Sequence, residues 1–136
     1  MNDSIKHAQW VVDDSSFTKH LGLQIDKLQP GYCRSRLPRR PELLNQGGIF
    51  HGGLYAVVAD HTAGVAASTM VDKDQRVLTA EYKLNILRPG DCDELLTEGT
   101  VIKSGRRLII GEAKVYDGDK QRLFSVALFT FAVVPR

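Results

Sequence analysis

Cysteine is scarce in this chain, with only Cys33 and Cys92, far apart, among 136 residues. They form no CxxC pair, so neither a zinc site nor a disulfide framework is expected. No apolar run approaches the roughly 20 residues that cross a bilayer. The first residues, Met1-Asn2-Asp3-Ser4-Ile5-Lys6-His7, lack the basic-then-apolar layout of a secretory signal. A reduced, cytoplasmic protein without a membrane partner is therefore expected. A surplus of one charge is missing as well. Eighteen Lys and Arg against 16 Asp and Glu leave a net +2, too small to argue for a nucleic-acid partner. Low-complexity stretches and internal repeats are also absent. What is present, 43% apolar and 25% charged residues, is the balance of an ordinary folded, soluble protein. The length suits one domain over residues 1–136 with a single substantial core.

Residues 1–14 read as a loosely held N-terminal segment, or as a short helix containing Trp10. A helix is expected from Ser15-Ser16, where a hydroxyl can cap free N–H groups, to about Leu21, with Gly22 as its terminator. Leu23–Leu28 and Tyr32–Leu37 alternate as strands around the turn Pro30-Gly31. Residues 38–50 are broken by Pro38, Pro41, Gly47 and Gly48. From Gly52 to Met70 the chain is apolar nearly all round and rich in alanine, which predicts a buried helix. Four strand-like runs follow, Val77–Leu87, Glu94–Ile102, Arg107–Tyr116 and Gln121–Val134. Pro89-Gly90, Ser104-Gly105 and Asp117-Gly118-Asp119 punctuate them, the last two as hairpin turns. A central helix followed by an antiparallel meander predicts an α+β fold rather than an alternating α/β one.

Asp60 is the residue that needs explaining. It falls in mid-helix among Val57, Val58, Ala59, Ala63 and Gly64, where a carboxylate is costly unless it is paired or used. Pairing with a basic neighbour or capping another element is the plain structural explanation. A chemical one gains weight because the same helix carries a second reactive feature, its N-terminus at His51-Gly52-Gly53. The glycines let a ligand approach the backbone. The first N–H groups lack internal partners and sit at the positive end of the dipole. Such a terminus can hold a carbonyl oxygen as negative charge develops on it. Gly52 and Asp60 lie eight residues apart, about 12 Å along a helix, too far to act on one carbonyl group. Two antiparallel copies facing each other would close that gap, so the spacing favours a two-fold dimer with composite sites.

With Asn45-x5-His51-Gly52-Gly53-x6-Asp60-x3-Gly64 and a strand ending in Leu87-Arg88-Pro89-Gly90, the chain resembles the PaaI-type hotdog thioesterases. The resemblance covers about residues 17–134. It implies a long central helix wrapped by a curved antiparallel sheet, paired as homodimers that assemble into homotetramers. It further implies hydrolysis of aryl- or acyl-CoA thioesters without a metal, coenzyme A being part of the substrate and no separate cofactor being needed. Residue by residue, it implies that Asp60 is the essential carboxylate, nucleophile or general base. Gly52 supplies the N–H that polarises the thioester carbonyl, His51 shapes that turn beside Gly53, and Asn45 offers a side-chain amide to the thioester or the water. Thr79 approximately matches a hydroxyl position that holds the attacking water. His61, directly after Asp60, points about 100° away on the helix and is not expected to share its site.

Coenzyme A carries several phosphate charges, so cationic residues are expected at the site mouth. Arg88 and the hairpin Lys103-Ser104-Gly105-Arg106-Arg107 are the candidates, and the resemblance places the nucleotide near these loops. Solvated turn residues are the plain alternative. Arg34, Arg36, Arg39 and Arg40 form a second basic group, with Arg34 and Arg36 alternating on a solvated strand face. Neither group carries the interleaved aromatics of a nucleic-acid binder. Two other functions fit the same fold: hydration or dehydration of an acyl thioester, and non-catalytic acyl-CoA binding. The first needs a histidine paired with the acid, and the second has no need of a buried carboxylate.

Overall fold

The computed structural model describes residues 2–136. Its centre is the alanine-rich segment, which forms helix α3 (Gly53–Ser68). Little side-chain bulk lets backbone approach it closely. A Cβ on Gly99 would lie 2.7 Å from the Ala63 backbone nitrogen and 2.8 Å from the Ala63 Cα. Glycine is therefore required where helix and sheet meet. Beside that contact the Ser35 and Thr62 hydroxyls, both buried, hydrogen-bond at 2.7 Å.

Two helices precede it. Residues Asp3–Asp13, for which the sequence admits a loose segment or a short helix, form α1. The Asn2 side chain caps it, accepting from the Ile5 N–H at 2.9 Å. Ala8 of α1 is buried in one cluster with Val65 and Ala66 of α3. Helix α2 (Ser16–Leu21) ends at Gly22, whose φ of +89° is the left-handed stop that the sequence predicts there. Strands β1 (Gln24–Gln29) and β2 (Tyr32–Pro38) form a hairpin, and a 3-10 turn, Pro41–Leu43, leads to α3.

After α3 come β3 (Gln75–Ile86), β4 (Glu94–Ser104), β5 (Leu108–Asp117) and β6 (Leu123–Pro135). All pairs are antiparallel, in the order β1-β2-β4-β5-β6-β3. The expected meander is correct only for β4-β5-β6. Strand β3 does not lie beside β4. It crosses to the far edge and pairs with β6, because β4 takes the place beside β2, where Gly99 admits the helix.

Six strands about 4.8 Å apart span more than twice the width of a helix. Yet α3 touches every one of them, so the sheet curves around it. This is the hotdog architecture. One end of α3 packs Tyr55 and Val58 against Leu37, Leu95, Val115 and Phe124. The other packs Ala59, Ala63 and Ala67 against Ile109, Phe129 and Phe131. No helix among the described residues is long and apolar enough to cross a membrane.

Candidate functional site

Asp60 is held by α3 and aimed toward β3, where it is only half-buried. The Thr79 hydroxyl donates to Asp60 Oδ1 at 2.6 Å. Thr79 reaches it because β3 bulges there: Thr79 pairs with Phe131 and Glu81 with Thr130, leaving Ala80 unopposed. The fold thus brings the Asp60 and Thr79 side chains together. The carboxylate borders two small cavities. One, of about 240 Å³, lies between α2 and α3 and is lined by Ser15, Phe17, Ala56, Val57, His61 and Tyr82. The other, of about 170 Å³, extends beneath α1 past Val11, His61, Gly64 and Thr79.

His61 corrects the sequence reading. Although a step of about 100° separates it from Asp60 on the helix, both side chains line both cavities, which are wide enough to span that step. Burial pushes its imidazole below its ordinary pKa, and the Asp60 charge opposes that in part. The ring is therefore uncharged at neutral pH. Phe17 was likewise not singled out by the sequence. Nothing in the pattern places α2 over the carboxylate, since that contact is set by tertiary packing.

The N-terminus of α3 is built separately. The Gly53 N–H donates to His51 Nδ1 at 2.9 Å, and the Leu54 N–H to the His51 carbonyl at 3.0 Å. His51 thus satisfies two of the terminal donors and leaves the Gly52 N–H without an acceptor among the described residues. Gly52 lines a third cavity, about 380 Å³, together with Asn45, Tyr55, Ile86 and Arg88. The Asn45 side-chain oxygen is engaged by its own loop, accepting from the Gly47 N–H at 2.8 Å and more weakly from Ile49. Its NH2 group is the part left for a ligand. Burial pushes the Tyr55 hydroxyl up to about 12.

Asp60 with Thr79, and Gly52 with Asn45 and Arg88, therefore occupy different cavities of one chain. The remaining basic residues are farther off. Gly105 closes the β4–β5 turn by donating to the Leu108 carbonyl at 2.9 Å, and Leu108 lies level with Ala132 and Leu78 across the sheet. Lys103, Gly105 and Arg106 are thus at the start of β3, whereas Arg88 follows its end. A larger cavity of about 530 Å³ shares no lining residue with either set. Its charged walls neutralise each other, Arg36 with Glu94 at 2.5 Å and Arg122 with Asp91 and Asp117 at 2.9 and 3.1 Å.

The open sheet ends in two edge strands, β1 and β3, and the β3 edge is the more apolar. Strand β3 carries Leu78, Tyr82 and Ile86 at 47, 49 and 47% exposure, and Leu87 follows at 53%. A long apolar edge strand left open is a template for another strand.

Comparison with known proteins places these observations. The sequence pattern of the Thioesterase superfamily matches residues 47–124. A proposed esterase of Saccharolobus solfataricus is 31% identical over 96% of this chain and 85% of its own. A 1,4-dihydroxy-2-naphthoyl-CoA hydrolase of Listeria monocytogenes is 24% identical over 83% of this chain and 91% of its own. The crystal structure of a thioesterase family protein from Silicibacter pomeroyi superposes with a TM-score of 0.93 at 27% identity, covering 98% of this chain and 99% of that one.

Proposed function

The chain belongs to the thioesterase superfamily, and from that premise we propose that it hydrolyses acyl-CoA thioesters at two composite sites of a homodimer. The observation that carries this reading is the separation of Asp60 from the Gly52 N–H on one helix, combined with the open β3 edge. Antiparallel pairing of two β3 edges sets the start of one strand against the end of the other. Each Asp60 then faces Gly52 of the partner subunit. The same pairing carries the Lys103–Arg106 turn of one chain toward Arg88 of the partner subunit, gathering cations for the phosphates of coenzyme A. Assembly of such dimers into a homotetramer belongs to the same proposal.

The chemistry follows from the hydrogen bonds. Thr79 donates to Oδ1 and so leaves Oδ2 as the free, electron-rich oxygen. Oδ2 either attacks the thioester carbon or takes a proton from the water that does so. In both routes the carbonyl oxygen gains negative charge and accepts from the partner's Gly52 N–H, backed by the helix dipole. The carbon–sulfur bond then breaks. In the base route Asp60 passes the water's proton to the departing thiolate. In the nucleophilic route the acyl group is left as an anhydride on Oδ2, which a water hydrolyses. Both routes consume one water, and the products are the free acid and the thiol of coenzyme A. Asn45 adds its NH2 group at the carbonyl side, and His51 keeps the Gly52 N–H aimed outward by binding the next N–H itself.

Release of thiol from a panel of aromatic and aliphatic CoA esters tests the reading. Asp60→Asn keeps the shape of the side chain, so it is expected to fold normally and to lose turnover by orders of magnitude. Near-normal thiol release by that variant would exclude the role of Asp60. A second reading, hydration of an acyl thioester, draws support from the shared position of His61 and Asp60. Addition of water to crotonyl-CoA, followed by loss of its conjugated absorbance, would select it.

A further inference from the structure

Helix α1 holds to α3 through Ala8, and its Val11 walls one side of the smaller cavity beside Asp60. Next to Ala8, and one turn before Val11, His7 is only 5% exposed. Both of its ring nitrogens are buried and have no hydrogen-bond partner among the described residues. Buried polar groups are nearly always paired. Neutral, this imidazole forgoes one donor and one acceptor. Protonated, it would be a buried charge with two unmet donors, which costs far more.

The surrounding charges give no relief. On α1 itself Asp3 pairs with Lys6, and Asp13 and Asp14 stand at the far end. The turn after α3 brings Asp72, Lys73 and Asp74 to Asp3 and Ser4, at the start of the helix. At the Val11 end α3 and β3 present Asp60, His61 and Arg76. On β1, Asp26 is held by Arg34 and Arg36, and Lys27 lies over the Tyr32 ring. None of these charges moves the imidazole. Burial, and after it the Arg136 guanidinium, push the ring below its ordinary pKa. Trp10 stacks on His7 with centroids 6.1 Å apart, but its ring already carries Arg136 at 4.0 Å and offers a second cation little.

We propose that α1 is an acid-released strap, in which His7 takes up a proton below neutral pH and frees the helix from α3. The inference stands apart from the thioesterase reading, since it concerns the docking of α1 and not the reaction. Its sign follows from the two states of the ring. Undocked, His7 titrates as an ordinary histidine, at about 6.5, and docked it titrates lower. Docking is therefore at full strength above that pH and weakens as the pH falls below it. The proton comes from solvent and returns to it, so the change is reversible. Eleven residues are too few to stay helical in water alone, so an undocked α1 also unwinds. Release takes Val11 from the cavity wall and uncovers Val65 and Ala66.

Amide hydrogen exchange of the full chain at about pH 7.5 and about pH 5.5, corrected for the intrinsic effect of pH, tests this. Exchange of α1 is expected to quicken about three- to tenfold at the lower pH, while α3 stays within about twofold. His7→Phe and His7→Met each remove the titrating group and fill its space, so one of the two that keeps α1 protected at the higher pH suffices. In that variant the response of α1 should fall below about twofold. Should neither keep α1 protected, Arg136→Gln decides, because loss of the opposing charge should shrink the response. No quickening in the wild type, an equal quickening in α3, or an undiminished response in the deciding variant overturns the proposal.

Discussion

The Thr79 hydroxyl donates a 2.6 Å hydrogen bond to Asp60 Oδ1, joining edge strand β3 to the central helix α3. This bond fixes which carboxylate oxygen remains free. Thr79→Val keeps the β-branched shape and removes only the donor. A hydrogen bond to a charged group contributes about 1.5–3 kcal/mol, so kcat is expected to fall about 10- to 100-fold with little change in KM. Steady-state kinetics on one good ester checks this, with a melting curve to show that the fold is retained. Unchanged kcat would remove Thr79 from the site.

The cationic turn is tested by the length of the substrate. Arg106→Ala should raise KM for CoA esters about tenfold, the loss of one charge-assisted contact. Thioesters of pantetheine, which lack the nucleotide phosphates, should be unaffected. Equal effects on both substrates would mean that Arg106 does not meet the phosphates.

A stability prediction follows from the close approach of Gly99 to the α3 backbone. A methyl group on Gly99 would sit within 2.8 Å of Ala63 backbone atoms, and backbone cannot swing aside as a side chain can. Gly99→Ala is expected to cost about 1–3 kcal/mol of folding stability by overpacking. Chemical denaturation measures it. A change below about 0.5 kcal/mol, the level of an ordinary surface substitution, would contradict the packing described.

Much of this architecture is legible in the sequence, for reasons that particular residues make plain. The run from Leu54 to Ala67 has so little polar surface and so many alanines that a buried helix is its natural outcome. Gly22, Gly31 and Gly48 mark left-handed backbone, and the first two stand where a helix end and a turn were expected. The order of the strands is not legible in this way. Alternation places a strand's faces but not its neighbour, so β3 could be read as the first strand of a meander when it lies at the far edge.

The site divides along the same line. Asp60 and Gly52 stand out locally, one as a carboxylate among small apolar residues and the other as a glycine at a helix start. Thr79 followed from the family resemblance. His61 did not emerge, because the angular argument treats the helix as a bare cylinder and overlooks the width of the cavity beside it. Phe17 and Ser15 are absent from the sequence reading because α2 reaches Asp60 only through tertiary packing. Arg88 and Arg106 read as one cationic set in sequence, yet within one chain they lie at opposite ends of β3. In the proposed dimer they form one set.

The central claim is that each site takes its carboxylate from one subunit and its amide donor from the other, and mixing two inactive variants tests it most directly. Asp60→Asn removes the carboxylate. Gly52→Pro removes the N–H alone: φ at Gly52 is −57°, within the range of proline, no described residue accepts from that N–H, and a Cβ there meets Ile86 at an ordinary 3.6 Å. Each variant alone should be folded and nearly inactive. After subunit exchange at equal amounts, half of the dimers are mixed and each has one intact site, so about a quarter of wild-type turnover should return. Dimers that exchange subunits but recover no thiol release would contradict the account.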